Sequence, residues 1–466
     1  MPLLSTASRR ESFLLALAAL FLCLAALALT LAPSARANVW LSPFDISNSS
    51  REAVIWVFFF TWLACASIAS FATRRLLPTH DPYLLPVVYL LTGWGIALIW
   101  RLAPNFGLRQ TAWLVVATAA LIGIVWLPGD LRWLRRYRYS WLLGGLALTA
   151  LTLIFGVNPS GFGERLWLGC CGFYLQPAEI LKLLLVVFLA AYLADKREQL
   201  FQSPVVNRQS SDATSNFQLP ARRASSLQSP FTLQPSSLSY FLPLLLMWGF
   251  SIVLLVSQRD LGMSTLFFAA FLIMLYLASS QTRYVIAGLA LLLLAGVVGY
   301  ALFDVVRIRV EAWWNPFADP TGHSYQIVQS LIAIASGGIL GRGPGQGAPT
   351  LIPVAHSDFI FAALAEEWGL AGLLASTGLL ALVVFRGLRI ALQTRPAFEQ
   401  LLAGGLTALI GVQALVIMGG VLKLVPLTGL TLPFMSYGGS SLLTHFIMIG
   451  LLLKLSSSSQ HPTPNK

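Results

Sequence analysis

Charge is what this sequence has least of. Asp, Glu, Lys and Arg make up 10% of its 466 residues, against about 25% in soluble globular domains, and that excludes a water-soluble globule. Acidic residues are scarcest, 18 against 30 basic. Of four cysteines, Cys23 and Cys65 fall in apolar runs and Cys170-Cys171 are adjacent in a loop, without the His/Cys spacing of a metal site. No phosphate-cradling P-loop, no defensible Ser-His-Asp arrangement and no repeat of fixed period is present.

Long apolar runs take their place. Hydrophobic residues reach 57% and mean hydropathy +0.75. A helix needs about 20 apolar residues to span a bilayer. Stretches of that kind lie near 12–33, 52–72, 82–101, 109–127, 140–157, 177–194, 238–256, 261–280, 284–303, 358–385, 401–422 and 438–455. The expected fold is an all-α polytopic membrane protein with about twelve transmembrane helices. The net charge of +12 reports topology rather than nucleic acid. With the N-terminus inside, Arg74-Arg75, Arg132, Arg135, Arg136, Arg138, Lys196-Arg197, Arg283, Arg386, Arg389 and Arg395 all face the cytoplasm, as the positive-inside bias requires. Ala35-Arg36-Ala37 resembles a signal-cleavage pattern, but the apolar run before it exceeds the usual 7–15 residues, so a retained first helix is expected.

The stretch 196–237, rich in Ser, Gln, Asn and Pro, has too little apolar surface to offset ordering entropy and reads as a flexible cytoplasmic linker; the tail after 456 reads alike. The stretch 304–357 is the reverse. It is long and polar and falls on the outer side, yet carries Tyr325–Ile334, mostly apolar, which predicts a short buried or re-entrant helix ended by Gly337-Gly338. It also carries Arg307, Arg309, Trp313, Trp314 and Gln326, and delivers Asp358 to the mouth of an apolar helix. An ionisable group there is a functional candidate.

Other polar clusters face the same side. Arg165 precedes Pro177, which suits a first helical turn, and Glu179 and Lys182, three residues apart, share one helix face as a buried pair or a ligand site. Gln258-Arg259-Asp260 interrupts two apolar spans, and a Gly- and Ser-rich run including Ser436 approaches the last span. Carboxylate plus guanidiniums suits a reaction in which a base takes a hydroxyl proton while cations hold a phosphorylated leaving group. On one continuous helix Glu366 would lie about 80° and Glu367 about 180° from Asp358, so neither shares that proton transfer; Glu366 reads as an interior structural carboxylate.

These motifs, in order, resemble the SEDS family of bacterial membrane proteins, the FtsW/RodA/SpoVE group: Arg165-Leu166-Trp167, 176–182, Gln258–Gly262, 314–320, Gly322–Gln326, 329–330, 336–338, His356–Ala362 and 432–441. Arg259, Val354 and Ser357 stand where that family usually has Pro, Glu and Thr. The resemblance implies a ten-helix core over 77–456, preceded by a two-helix extension over 1–76 and followed by a tail over 457–466. It implies a peptidoglycan glycosyltransferase that polymerises lipid II at the outer face of the plasma membrane. The partner would be a class B penicillin-binding transpeptidase, with other divisome or elongasome membrane proteins. Asp358 takes the place of the essential aspartate. Arg165, Glu179 and Lys182 support it, and Gln258, Arg259, Asp260, Arg307, Arg309, Tyr325, Gln326 and Ser436 complete the expected substrate site. No cofactor is implied with certainty; a divalent cation (Mg2+ or Mn2+) is the candidate helper, for which the sequence offers no ligand set. The rival is a flippase for lipid-linked precursors, which should present headgroup contacts at both faces.

Overall fold

In a hydrocarbon layer each backbone N–H and C=O must find its partner within the chain, so the apolar runs coil into helices. The computed structural model describes residues 2–31, 48–127, 131–158, 164–170, 173–201 and 235–458. The stretch bearing Ala35-Arg36-Ala37, residues 202–234 of the expected linker, and the tail after Ser458 lie outside the described residues. The helices are α1 (Pro2–Leu31), α2 (Asn48–Leu76), α3 (Leu84–Leu102), α4 (Pro104–Trp126), α5 (Arg132–Arg136), α6 (Arg138–Phe155), α7 (Pro177–Phe201), α8 (Pro235–Ser257), α9 (Leu261–Ser279), α10 (Thr282–Leu302), α11 (Asp304–Trp314), α12 (Tyr325–Gly337), α13 (Ile360–Gln393), α14 (Ala397–Val421) and α15 (Gly439–Ser458). A two-stranded antiparallel hairpin, β1 (Leu168–Cys170) and β2 (Phe173–Leu175), precedes α7.

Among the described residues, eleven helices are long and apolar enough to cross a membrane. The apolar stretch of α8, Leu242–Ser257, is shorter than the rest. The protein is an all-α polytopic membrane protein. Its centre is built by α7, α14 and α15, with α3 and α4 behind α15 and α13 against α14. The apolar window of α3 is 89% buried and that of α10 only 6%, so α10 is a peripheral helix. It touches α9 on one side and α11 on the other.

The stretch 304–357 is not one loop. Its first part forms α11, whose Arg, Glu and Trp residues sit on a helix the sequence did not predict; its middle forms α12, capped by Gly338 at φ 56°. Beyond it, residues 338–343 dock against a break in α13. Gly369 takes φ 62° and ψ −162° inside that helix. The backbone groups freed by the break bond to the docked segment: Arg342 N to Glu366 O (2.9 Å), Gly343 N to Glu367 O (3.0 Å), Leu370 N to Gly338 O (2.9 Å) and Ala371 N to Ile339 O (3.0 Å). Irregular backbone is tolerated deep in a membrane protein where other backbone pairs with it.

Candidate active site

Asp358 does not open α13. The helix starts at Ile360 with Phe359 in the cap position, and Asp358 lies in the run of turns before it. The angular relation expected between Asp358 and the two glutamates therefore does not hold, because no continuous helix joins them. The turn is held from the 432–437 segment. Ser436 Oγ donates to Ser357 O (2.6 Å) and accepts from Leu432 N (2.9 Å). Tyr437 N donates to His356 O (2.9 Å), and the His356 ring stacks on Phe106 at 4.5 Å. Burial pushes His356 down to about 4, so it is a neutral packing ring near pH 7. Ser436, expected to touch substrate, is buried and spends its hydroxyl on this scaffold.

The Asp358 carboxylate accepts from Ser357 Oγ at 2.8 Å. Opposite stands Arg309 of α11, whose Nη1 donates to Thr428 O at 3.0 Å. Gly429, at φ +74°, lies between them: a methyl added there would stand 3.6 Å from Arg309 Nη2 and 3.7 Å from Asp358 Oδ2. Burial raises the Asp358 carboxyl above the ordinary range, against the pull of the Ser357 hydroxyl and the Arg309 charge. Burial likewise lowers Arg309, and the charges of Asp358 and Asp260 oppose it. Asp260 caps α9 by accepting from Met263 N at 3.0 Å. Its burial, with Glu179 nearby, pushes it up to about 6 despite Arg309. One guanidinium thus serves two carboxylates.

A second group lies behind the first. Lys182 Nζ is 2.5 Å from Glu179 Oε2 and donates to Gln413 Oε1 at 2.8 Å. Both ends of the ion pair are buried, the shared face that the three-residue spacing predicted. Gln413 Nε2 donates to Thr431 O (2.8 Å), and Thr431 Oγ1 to Ser441 Oγ (2.9 Å), beside His445. Gln110 takes part from α4, accepting from Gly438 N and donating to Ser436 O. Sequence reasoning missed Gln413 and Gln110. The available signal was a lone amide in each of two apolar spans.

Other expected site residues lie apart from this group. Gln258 turns into α6, donating to Thr149 O and Thr152 Oγ1, both at 2.9 Å. Arg259, 66% exposed, faces Glu164 at 3.4 Å. Arg165 is exposed ahead of β1. Arg307 pairs with Asp304 at 3.8 Å, and Tyr325 and Gln326 open α12. Among the described residues no hydrogen bond joins any of these side chains to Asp358. Trp313 is tied down by its Nε1 donating to Lys423 O (3.1 Å), while Trp314 is exposed. Glu366 finds its partner in Ala348 N (2.8 Å), and Glu367 in Arg101 (3.4 Å). A cavity of about 520 Å³ opens on another face of α11, lined by Tyr300, Ile308, Glu311, Asn315 and His323; neither Asp358 nor Arg309 lines it.

Among the described residues no three His, Cys, Asp or Glu side chains converge as metal ligands. The donors at Asp358 are one carboxylate and one hydroxyl near a guanidinium, fewer oxygen ligands than a divalent cation takes. A carboxylate so placed can accept a proton beside a fixed positive charge.

Comparison with known proteins gives this arrangement a context. The family model FTSW_RODA_SPOVE, described as cell cycle protein, matches residues 100–461. The chain is similar to the peptidoglycan glycosyltransferase RodA of Mycobacterium tuberculosis, at 40% identity over 406 residues, covering 84% of this chain and 81% of that protein. It is similar to the probable peptidoglycan glycosyltransferase FtsW of Geobacter metallireducens, at 31% identity over 393 residues, covering 81% and 95%. Among solved structures it is similar to a chain of a peptidoglycan synthase complex that coordinates polymerization and crosslinking. The TM-score is 0.64 at 27% identity, covering 82% of this chain and 99% of that one. The Thermus thermophilus rod shape determining protein RodA shares the fold, with a TM-score of 0.56 at 23% identity, covering 82% and 98%.

Proposed function

This chain belongs to the FtsW/RodA/SpoVE family, and from that premise we propose that it is a peptidoglycan glycosyltransferase polymerising lipid II, with Asp358 as general base. The observation that carries this reading is the placing of the Asp358 carboxylate and the Arg309 guanidinium on either side of Gly429, each within 4 Å of a methyl added there. A carboxyl raised by burial is a stronger base than an ordinary one, and a base is most effective when its pKa nears the operating pH.

In the proposed step Asp358 takes the proton of the acceptor sugar hydroxyl, and that oxygen bonds to the anomeric carbon of the donor. The bond from that carbon to undecaprenyl diphosphate breaks with inversion, and the leaving group departs with both electrons. Arg309 offsets the diphosphate charge as it develops; no leaving-group acid is needed. Lys182, buried and bound to Glu179 and Gln413, acts as a scaffold rather than a phosphate ligand. No step runs through a metal. The reaction takes place at the outer face of the plasma membrane, with Asp358 outside and Arg74-Arg75 inside. A class B penicillin-binding transpeptidase is the proposed partner, in keeping with the similarity to a chain of a synthase complex.

The test is polymerisation of labelled lipid II by the purified protein with its transpeptidase. Asp358→Asn keeps size and hydrogen bonding but not basicity, and should lower kcat about 100-fold while expression and partner binding stay normal. In the wild type kcat/KM should fall as pH drops through the raised Asp358 pKa, hence at a higher pH than for an ordinary carboxylate near ~4. Near-normal polymerisation by the Asn variant would sink the assignment and bring the flippase reading forward.

A further inference from the structure

The first two helices do more than cross the membrane. Phe21 of α1 lies between two tryptophans, 5.2 Å from Trp94 of α3 and 5.4 Å from Trp368 of α13, and those two rings meet edge to face at 5.2 Å. Trp368 is the residue before Gly369, where α13 breaks. One and two turns further along α1, Ala25 and Leu29 line, together with Arg101 and Glu367, a void of only about 10 Å³. Arg101 also donates to Gly345 O (3.2 Å) and Gly347 O (3.1 Å). It therefore ties the chain just beyond the docked segment to the same point.

The hairpin is fixed tightly enough to act there. Leu22 and the Trp62 indole press on α3 at Gly93, where an added methyl would stand 2.3 Å and 2.7 Å from them, and Trp62 Nε1 donates to Tyr89 O at 2.8 Å. Near the start of α1, Glu11 is fully buried. It accepts from Ser70 Oγ (2.5 Å) and lies 2.9 Å from His80 Nε2 and 3.3 Å from Arg74 Nε. Withdrawing this carboxylate would leave Ser70, His80 and Arg74 without their partner, which is destabilising in a buried site, so α1 resists sliding or withdrawal.

We propose that the α1–α2 hairpin is a positioning element for the active site. By wedging Phe21 against Trp368 and sealing Arg101–Glu367, it locks the break at Gly369, the four backbone bonds to 338–343, and through them the chain that runs on to Asp358. The alternative is an anchor that packs on the core without consequence for the break. The functional half of the proposal rests on the glycosyl-transfer reading above; the mechanical half does not.

Hydrogen exchange on the full-length protein separates the two halves. Phe21→Ala should speed exchange of the Arg342, Gly343, Leu370 and Ala371 amides about 10-fold or more, because local opening controls their protection, with α14 amides unchanged. Lipid II polymerisation should then lose about 10-fold or more in kcat, with KM little altered, as expected when a reacting group is misplaced. Phe21→Tyr should restore both. Leu29→Ala, which enlarges the void beside the ion pair and keeps all three rings of the aromatic cluster, should act in the same direction and carries the test if Phe21→Ala does not fold. Unchanged exchange of those four amides in the folded variants overturns the clamp. Faster exchange with unchanged kcat overturns its role in the reaction. A wild-type protein that makes no glycan would instead count against the polymerase reading, and the exchange result would still decide the clamp.

Discussion

Lys182 of α7 reaches Gln413 of α14, 231 residues away in sequence, and donates to its side-chain oxygen at 2.8 Å. The same amide donates onward to Thr431 O, in the segment whose Thr428 carbonyl holds Arg309. A buried ion pair and the face of the site are thus joined through one neutral side chain. Replacing it leaves an ammonium short of an acceptor and a carbonyl short of a donor.

Gln413→Leu should therefore destabilise the protein by about 1–3 kcal/mol, the cost of stranding buried polar groups, read as a lower unfolding midpoint in detergent. Polymerisation should fall further than this loss of folded protein explains, because the 428–431 turn loses a tether. A Leu variant as stable and active as the wild type would show that Gln413 couples nothing.

Asp260 sets a pH dependence of stability. Its folded pKa of about 6 lies above the ordinary value of 3.8. Burying the charged form is unfavourable here, so its contribution is most favourable below about pH 4 and is lost as pH rises through about 6. Asn keeps the cap to Met263 and carries no charge. Asp260→Asn should therefore unfold at a higher temperature than the wild type at pH 8, with the gap closing as pH falls towards 4. Melting curves that stay parallel across that range would refute the assignment.

Gly369 and Gly378 lie on the same helix and should answer oppositely to alanine. At Gly369 an added methyl meets Gly341 N at 2.3 Å and Ile339 O at 2.5 Å, at a φ of +62°. Strain and overpacking together should cost about 3 kcal/mol or more and lower the folded yield. At Gly378 no heavy atom lies within 4 Å of the added methyl, and Gly378→Ala should be neutral or slightly stabilising. Thermal melts of the two variants side by side decide the matter.

What the sequence made legible was whatever is local. Apolar runs marked the spans, the three-residue spacing put Glu179 and Lys182 together, and the apolar stretch from Tyr325 marked α12. Asp358 stood out as an acid at the edge of an apolar run. What stayed hidden depends on partners far along the chain. The break at Gly369 is stable only because residues 338–343 supply its missing bonds, and no pattern within 360–393 announces that. Gln258 looked like a ligand because its neighbours are polar, yet its amide is used up by Thr149 and Thr152 of α6. Ser436 likewise turns to Ser357. Arg309 could not be singled out from Arg307, since which of the two faces Asp358 depends on how α11 is rotated.

The break in α13 also divides that helix's dipole. A helix carries about half a positive charge at its first turn and half a negative charge at its last, so the break turns one long dipole into two. The first of these is nine residues long, from Ile360 to Trp368. Its positive end lies two residues after Asp358, beyond the cap residue Phe359. Its negative end meets the amides of Arg342 and Gly343 and lies beside the Arg101–Glu367 pair. The positive end favours the ionised carboxylate, opposing the burial that raises it. Arg101, which makes no hydrogen bond to Asp358 among the described residues, thus stands at the far pole of the short helix that Asp358 precedes.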